Sequence, residues 1–315
     1  MPFNEALYQE LKPGQPMVVS KEEFKKRFSP LTPSELAALA LEKRKAPKEA
    51  KEEGKISYQE ARDILGSDCL GPEAVEKLLG QRPEYIPPIP FSREDLERAK
   101  EVGQFLILRV DKAPDGTPLT LQAMHQLWSA KFEAAGKGKI LYEIKDQWKL
   151  DSDFFTQETP HVSWALVSKE LVPNSTSKNY IVQTEVLIDY LTTKVFEGQQ
   201  APPEYQVAIA EFEAKKPNIT QLMASNWQEA ARMLEALQIT RLTRQTPTEA
   251  RYDSLVYLEN NDKRLLENSY TWTSRRSSDG NLVDFGNADA EGADVNRWKP
   301  GSTHDGLGVV LSRSL

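Results

Sequence analysis

Cysteine and histidine are nearly absent from this chain of 315 residues, which holds one cysteine, Cys69, and three histidines. A lone cysteine excludes an internal disulfide framework and a Cys-rich zinc site. His125, His161 and His304 have no carboxylate or cysteine at ligand spacing and no His-Glu-x-x-His pattern, so each reads as structural or surface-exposed. No run approaches the roughly 18 to 20 consecutive apolar residues that a membrane helix needs, and the opening stretch has neither a basic nor an apolar leader region. A soluble, cytoplasmic chain without membrane insertion is expected. The formal net charge of −7 gives no electrostatic reason to bind nucleic acid. With 39% hydrophobic and 28% charged residues, the totals sit near globular averages and argue against wholesale disorder.

The apparent phosphate and metal motifs fail on spacing. Gly136-Lys137-Gly138-Lys139 lacks the Ser/Thr of a phosphate loop and precedes a strand pattern, so it reads as a turn. Asp151-Ser152-Asp153 begins like a calcium loop but lacks the later Asp/Asn-Gly and the terminal Glu, which leaves a helix cap or turn. Cys69 has no nucleophile signature around it and reads as a partly buried, inert thiol. Asn174-Ser175-Thr176 and Asn218-Ile219-Thr220 match the glycosylation pattern, which carries no weight without a secretory signal. None of these motifs supplies a cofactor, metal or catalytic residue.

What is present begins with helix starts. Ser20, Thr32, Ser57 and Ser92 each stand three residues before an acid, the spacing of a capping box, and predict short helices over the first hundred residues. Ten of the fifteen residues 41–55 are charged, with both signs mixed, which reads as a solvated helix end or connector. Pro83, Pro87, Pro88 and Pro90 then predict an extended linker, placing a helical N-terminal region and linker at 1–90 and a second domain at 91–315. Strands are predicted over 105–110, 138–142 and 161–167, with a helix over 180–195. Residues 201–269 contain no glycine and carry two more helix starts, Asn226 and Thr246-Pro247, which predict a helical insertion over 201–265.

The composition then switches. Of the 46 residues 270–315, twenty are Gly, Ser, Asn or Asp, and apolar residues recur in short bursts. Short strands joined by polar loops are expected. Trp272 and Trp298 read either as core anchors or as ligand-stacking platforms. Asn281, Asp284, Phe285, Asn287, Asp289, Glu291, Asp294, Asn296, Arg297, Ser302, Thr303, His304 and Asp305 are the candidate site residues. The polar ones fall in loops or alternate along strands, where they read either as solvated surface or as adaptable contacts on a rigid support.

Tyr270-Thr271-Trp272-Thr273-Ser274-Arg275-Arg276, Val283-Asp284-Phe285-Gly286-Asn287 and Gly308-Val309-Val310-Leu311-Ser312-Arg313-Ser314 resemble the C-terminal end of C-type-lectin-fold proteins. The nearest variants are the formylglycine-generating-enzyme-like branch and the variable proteins of diversity-generating retroelements, in the form found in candidate-phyla bacteria. The motif-bearing match covers about the last fifty residues. The resemblance implies an α+β fold: a helical N-terminal region followed by a C-type-lectin-like domain with a helical insertion and a variable segment at 270–315. It implies that reverse transcription mutates adenines in a template copy, so that asparagine codons become diversified sites; most of the candidates above are residues that such codons reach. Trp272, Trp298, Gly308 and Arg313 would be scaffold. The calcium-dependent sugar motifs of true lectins and the catalytic cysteine pair of the enzyme branch are absent, which points to a non-enzymatic protein that binds a small ligand or another protein. The alternative is an undiversified interaction or scaffolding protein that uses its helical N-terminal region. A hydrolase would need a convergent acid–base pair, for which only Asp151, Asp153 and His161 offer themselves.

Overall fold

Ser57, Ser92 and Thr246 each close a capping box, and each starts a helix where the spacing predicts one: α1 (Tyr58–Leu65), α3 (Arg93–Glu101) and α11 (Pro247–Asn261). The hydroxyl accepts the N3 amide while the N3 carboxylate reaches back to the cap amide, so two free donors of the first turn are satisfied. These elements belong to a computed structural model that describes residues 56–314. The predicted starts at Ser20 and Thr32 and the charged run of 41–55 lie outside the described residues.

Two four-stranded sheets organise the fold. Strands β1 (Cys69–Leu70), β2 (Gln104–Arg109), β3 (Ser163–Ser168) and β8 (Ser312–Ser314) form the first in that order. The second has the order β6 (Gly292–Trp298), β5 (Leu282–Asp289), β4 (Tyr270–Arg276) and β7 (Leu307–Gly308). Between β1 and β2 lie α2 (Pro72–Leu79) and α3; α4 (Leu121–Ala134) and the single turns α5 (Gln147–Leu150) and α6 (Asp153–Thr156) separate β2 from β3. Then come α7 (Tyr180–Tyr190), continued by a π-helical turn at Leu191–Val195, α8 (Pro203–Ser225), α9 (Trp227–Ala236), α10 (Gln238–Thr243) and α11. The architecture is α+β, as the sequence predicts. No described helix is long and apolar enough to cross a membrane.

Three boundaries differ from the predicted ones. The 138–142 segment forms only an isolated bridge, Leu141 to Ala293, because Gly138 and Gly292 hold it tight against the β5–β6 hairpin instead of in a ladder. Residues 56–90 are not a separate region: Ala61, Val75 and Leu78 share the main core with Phe105 and Val167, and β1 pairs with β2. The proline segment lies on that core, where the Trp164 indole donates to the Pro87 carbonyl at 2.8 Å. Within the predicted insertion, α11 is central: every residue from Pro247 to Glu259 is buried, and the helix packs on strands of both sheets. A helix covered on all sides needs no polar face, which is why 247–259 shows no amphipathic period.

A buried ion network ties α11 to the first sheet. Arg109, at the end of β2, donates Nε to Asp253 Oδ1 at 3.0 Å and Nη2 to Oδ2 at 2.5 Å, and its Nη1 lies 3.1 Å from Glu249 Oε1. Ser312 of β8 accepts a further bond from Arg109 at 3.0 Å, so one guanidinium joins β2, β8 and α11. A desolvated pair of this kind holds only if its donors find partners, and here each nitrogen of the guanidinium has at least one.

Candidate functional site

The register of the second sheet sorts its side chains. Tyr270, Gly286 and Asp294 stand opposite one another, as do Trp272, Asp284 and Asn296, and Leu282 is opposite Trp298. Directly opposed residues share a face, so these form one side, and Thr271, Phe285, Val295, Val283 and Arg297 form the other. The Phe285 side is apolar and belongs to the main core. The Trp272 side is covered over part of its area by helices and left open over the rest. Trp272 packs edge-on against Tyr180 of α7 at 5.6 Å and is buried, while Trp298 at the far strand is 48% exposed. The open part is framed by the β6–β7 loop and by the corner between α8 and α9, where Lys299 lies over the Trp227 ring and Gly301 approaches Met223.

The candidate residues therefore separate into four groups. Asp294 and Asn296 lie half-buried on the open face beside Trp298, with Asn296 Nδ2 donating to Asp294 Oδ2 at 2.7 Å. His304 joins them by packing edge-on to Tyr270, and exposed Thr303 and Asp305 and half-buried Ser302 continue that loop, pinned by Ser177 Oγ donating to Asp305 Oδ1 at 3.0 Å. Asn281 lies at the β4–β5 hairpin, one residue beyond the Leu282–Trp298 pair, and Asn287, Asp289 and Glu291 lie at the β5–β6 hairpin, beyond the Gly286–Asp294 pair. Asp289 accepts from the Glu291 amide at 2.7 Å, and Glu291 pairs with Lys139. Arg297 faces the opposite side, stacked on Trp148 and paired with Asp279 at 2.5 Å.

Asp284 and Phe285 are corrections to the surface reading. Both are buried, because β5 is the inner strand of its pair and both of its faces are covered. Trp298, expected as scaffold, is half exposed, and it stands on β6, the outer strand of its sheet. The other scaffold positions are internal. A Cβ on Gly308 would stand 2.6 Å from Ser175 Oγ, and Arg313 is buried over Phe91 and Phe196.

Asp284 lies buried beside the open face, next to Asp294 and Asn296 of β6. Its Oδ1 is buried without a hydrogen-bond partner among the described residues. Burial, with the neighbouring Asp294 carboxylate adding repulsion, pushes its pKa up to about 8 against the smaller opposing pull of the Asn296 amide and the Trp298 side chain. Burial and the carboxylates of Asp294, Asp284 and Asp289 raise the Tyr270 phenol as well. The face thus combines the Asp294 carboxylate, the Asn296 amide and the Tyr270 and Trp298 rings, with the Asp284 carboxyl buried beside them. Tyr270 is the residue that sequence reasoning missed; its place in the Tyr-Thr-Trp strand was visible, but its facing was not.

The remaining chemical candidates stay apart. Asp151 and Asp153 are exposed at a different cavity from His161, so no acid–base pair forms. Cys69 is buried, and desolvation pushes its thiol up to about 12, as expected for an inert group. No cluster of three metal-ligating side chains occurs among the described residues. Comparison of the chain with family models, with curated proteins and with solved structures found no match.

Proposed function

We propose that the protein is a non-enzymatic binding protein of the C-type-lectin-like, retroelement-diversified kind, and that the open face of the second sheet is its binding surface. The observation that carries this reading is the sheet register. It gathers Tyr270, Asp294, Asn296 and Trp298 on one exposed face, while the alternate residues Val283, Phe285 and Val295 fill the core. Side chains on such a face change without disturbing the residues beneath, which is what a diversified surface requires. The position of the three motifs that carry the resemblance, on β4, β5 and the β7–β8 segment, supports the same reading. Aromatic rings beside the Asp294 carboxylate favour a ligand that presents a cationic group.

Sequencing of the flanking DNA tests the diversification. A reverse-transcriptase frame and a near-copy of the segment encoding 270–315, differing at adenines, are expected; a gene without either removes this half of the proposal. The binding half is tested by selecting ligands on the purified protein and repeating the binding with Asp294→Lys and Trp298→Ala. Loss of binding with unchanged melting temperature is expected. Binding that ignores both substitutions and tracks residues 1–100 instead would favour the interaction-protein alternative.

A further inference from the structure

A second place on the molecule is built for charge of the opposite sign. A cavity of about 580 Å³ opens between the ends of β2 and β8, the turn from α9 through α10 to the start of α11, and strand β4. Five arginines line it: Arg109, Arg232, Arg241, Arg244 and Arg275. Its volume lies within the usual range for small-molecule sites. Its remaining walls are mostly hydroxyls and carboxylates, with Ala236 as the one aliphatic side chain.

The carboxylates nearby are already committed. Glu249 caps α11 and pairs with Arg109, whose other partner is Asp253. Glu235 accepts from the Arg276 amide at 3.1 Å and from its Nε at 2.6 Å. Arg275 is held by Glu158 through bonds of 2.8 to 3.1 Å, and Arg232 by Glu229. Two arginines are left over. Arg241 is exposed at the rim and has no carboxylate at pairing distance among the described residues. Arg244 is 3% exposed, and its only described hydrogen bonds go to the Trp272 carbonyl, at 3.4 Å, and to Thr184 Oγ1, at 3.2 Å. Its guanidinium stacks 4.0 Å from the centre of the Tyr180 ring. Stacking and two bonds orient the group but do not neutralise it, and three of its five N–H donors remain. Burial pulls its pKa below the ordinary arginine value, the mark of a charge without a counter-ion.

We propose that this cavity binds a small polar molecule through an oxyanion group, phosphate or carboxylate, held by Arg244 from below and Arg241 from the rim. An oxyanion placed there receives the forked donors that arginine presents and supplies the missing counter-charge in a desolvated setting. The hydroxyls of Thr246, Ser274, Ser312 and Ser314 on the walls suit the polar remainder of such a molecule and would not reward an apolar one. The site is separate from the open sheet face, so its test stands apart from that of the proposed function.

Isothermal titration of the full chain with inorganic phosphate, citrate, glucose 6-phosphate and glucose decides the matter. Saturable binding of at least one anion and none of glucose is expected; the phosphate and citrate arms identify the oxyanion. Arg241→Ala and Arg244→Lys should each weaken binding about tenfold or more, the loss of a charged hydrogen bond, while Trp298→Ala leaves it unchanged. Circular dichroism monitors the fold; if Arg244→Lys does not fold, the exposed Arg241→Ala variant decides alone. Absence of saturable binding for every anion, or binding that neither arginine substitution weakens, overturns the proposal.

Discussion

Asp284 ties stability to pH with a sign that can be worked out. In the unfolded chain an aspartate ionises near about 3.9, and in the fold Asp284 ionises only at about 8. The folded state therefore holds a proton that the unfolded state has released, and stability falls as pH rises between those values. The contribution is complete below about pH 4 and gone above about pH 8. Urea denaturation from pH 5 to 8 should show Asp284→Asn losing less stability with pH than the natural chain, by roughly 1 kcal/mol per pH unit. Equal slopes would show that Asp284 ionises in the fold without cost. Gly286, two residues on, is fixed by close approach: a Cβ there would fall on the Ser269 carbonyl and lie 2.5 Å from the Tyr270 Cα. Backbone cannot move aside as a side chain can, so Gly286→Ala should cost about 3 kcal/mol, the upper end for overpacking, by chemical denaturation. A loss below about 1 kcal/mol would mean that β4 and β5 can part locally.

Strands β4, β5 and β6 show how the same residue type takes two roles by position. Trp272 lies on an inner strand under α7, and its truncation to Ala removes a buried ring, worth about 3 to 5 kcal/mol. Trp298 lies on the edge strand β6, and Trp298→Ala should change stability by less than about 0.5 kcal/mol. Thermal denaturation of the two variants measures the contrast, and similar losses would contradict the facing assigned to β6. Helix ends obey more local rules. The capping boxes at Ser57, Ser92 and Thr246 were legible in the sequence because a hydroxyl and an acid three residues apart satisfy the first-turn amides whatever surrounds them. Strand facing is not local in this way, since it depends on which side of the sheet other elements cover.

In the whole molecule, α11 is the element on which both sheets meet. It is buried from Pro247 to Glu259 and bound through Asp253 to the Arg109 of β2. Its amides should therefore exchange with deuterium only through global unfolding, while those of α8, with one side in solvent, exchange through smaller openings. Comparable rates in the two helices would show that the sheets separate without unfolding the protein.

The mixed helix and strand content, the helix starts at Ser57, Ser92 and Thr246, the switch at residue 270 and the inert state of Cys69 were all written in the sequence. Each rests on neighbours within a few positions or on the reactivity of an isolated group. The burial of Asp284 and Phe285, the exposure of Trp298, the central place of α11 and the attachment of residues 56–90 to the main core were decided by tertiary structure. So was the arginine cavity, whose walls come from β2, β4, β8 and the α9–α11 segment, which the sequence spreads from Arg109 to Ser314. No periodicity joins Arg109, Arg244 and Ser312, because what brings them together is the packing of two sheets around one helix.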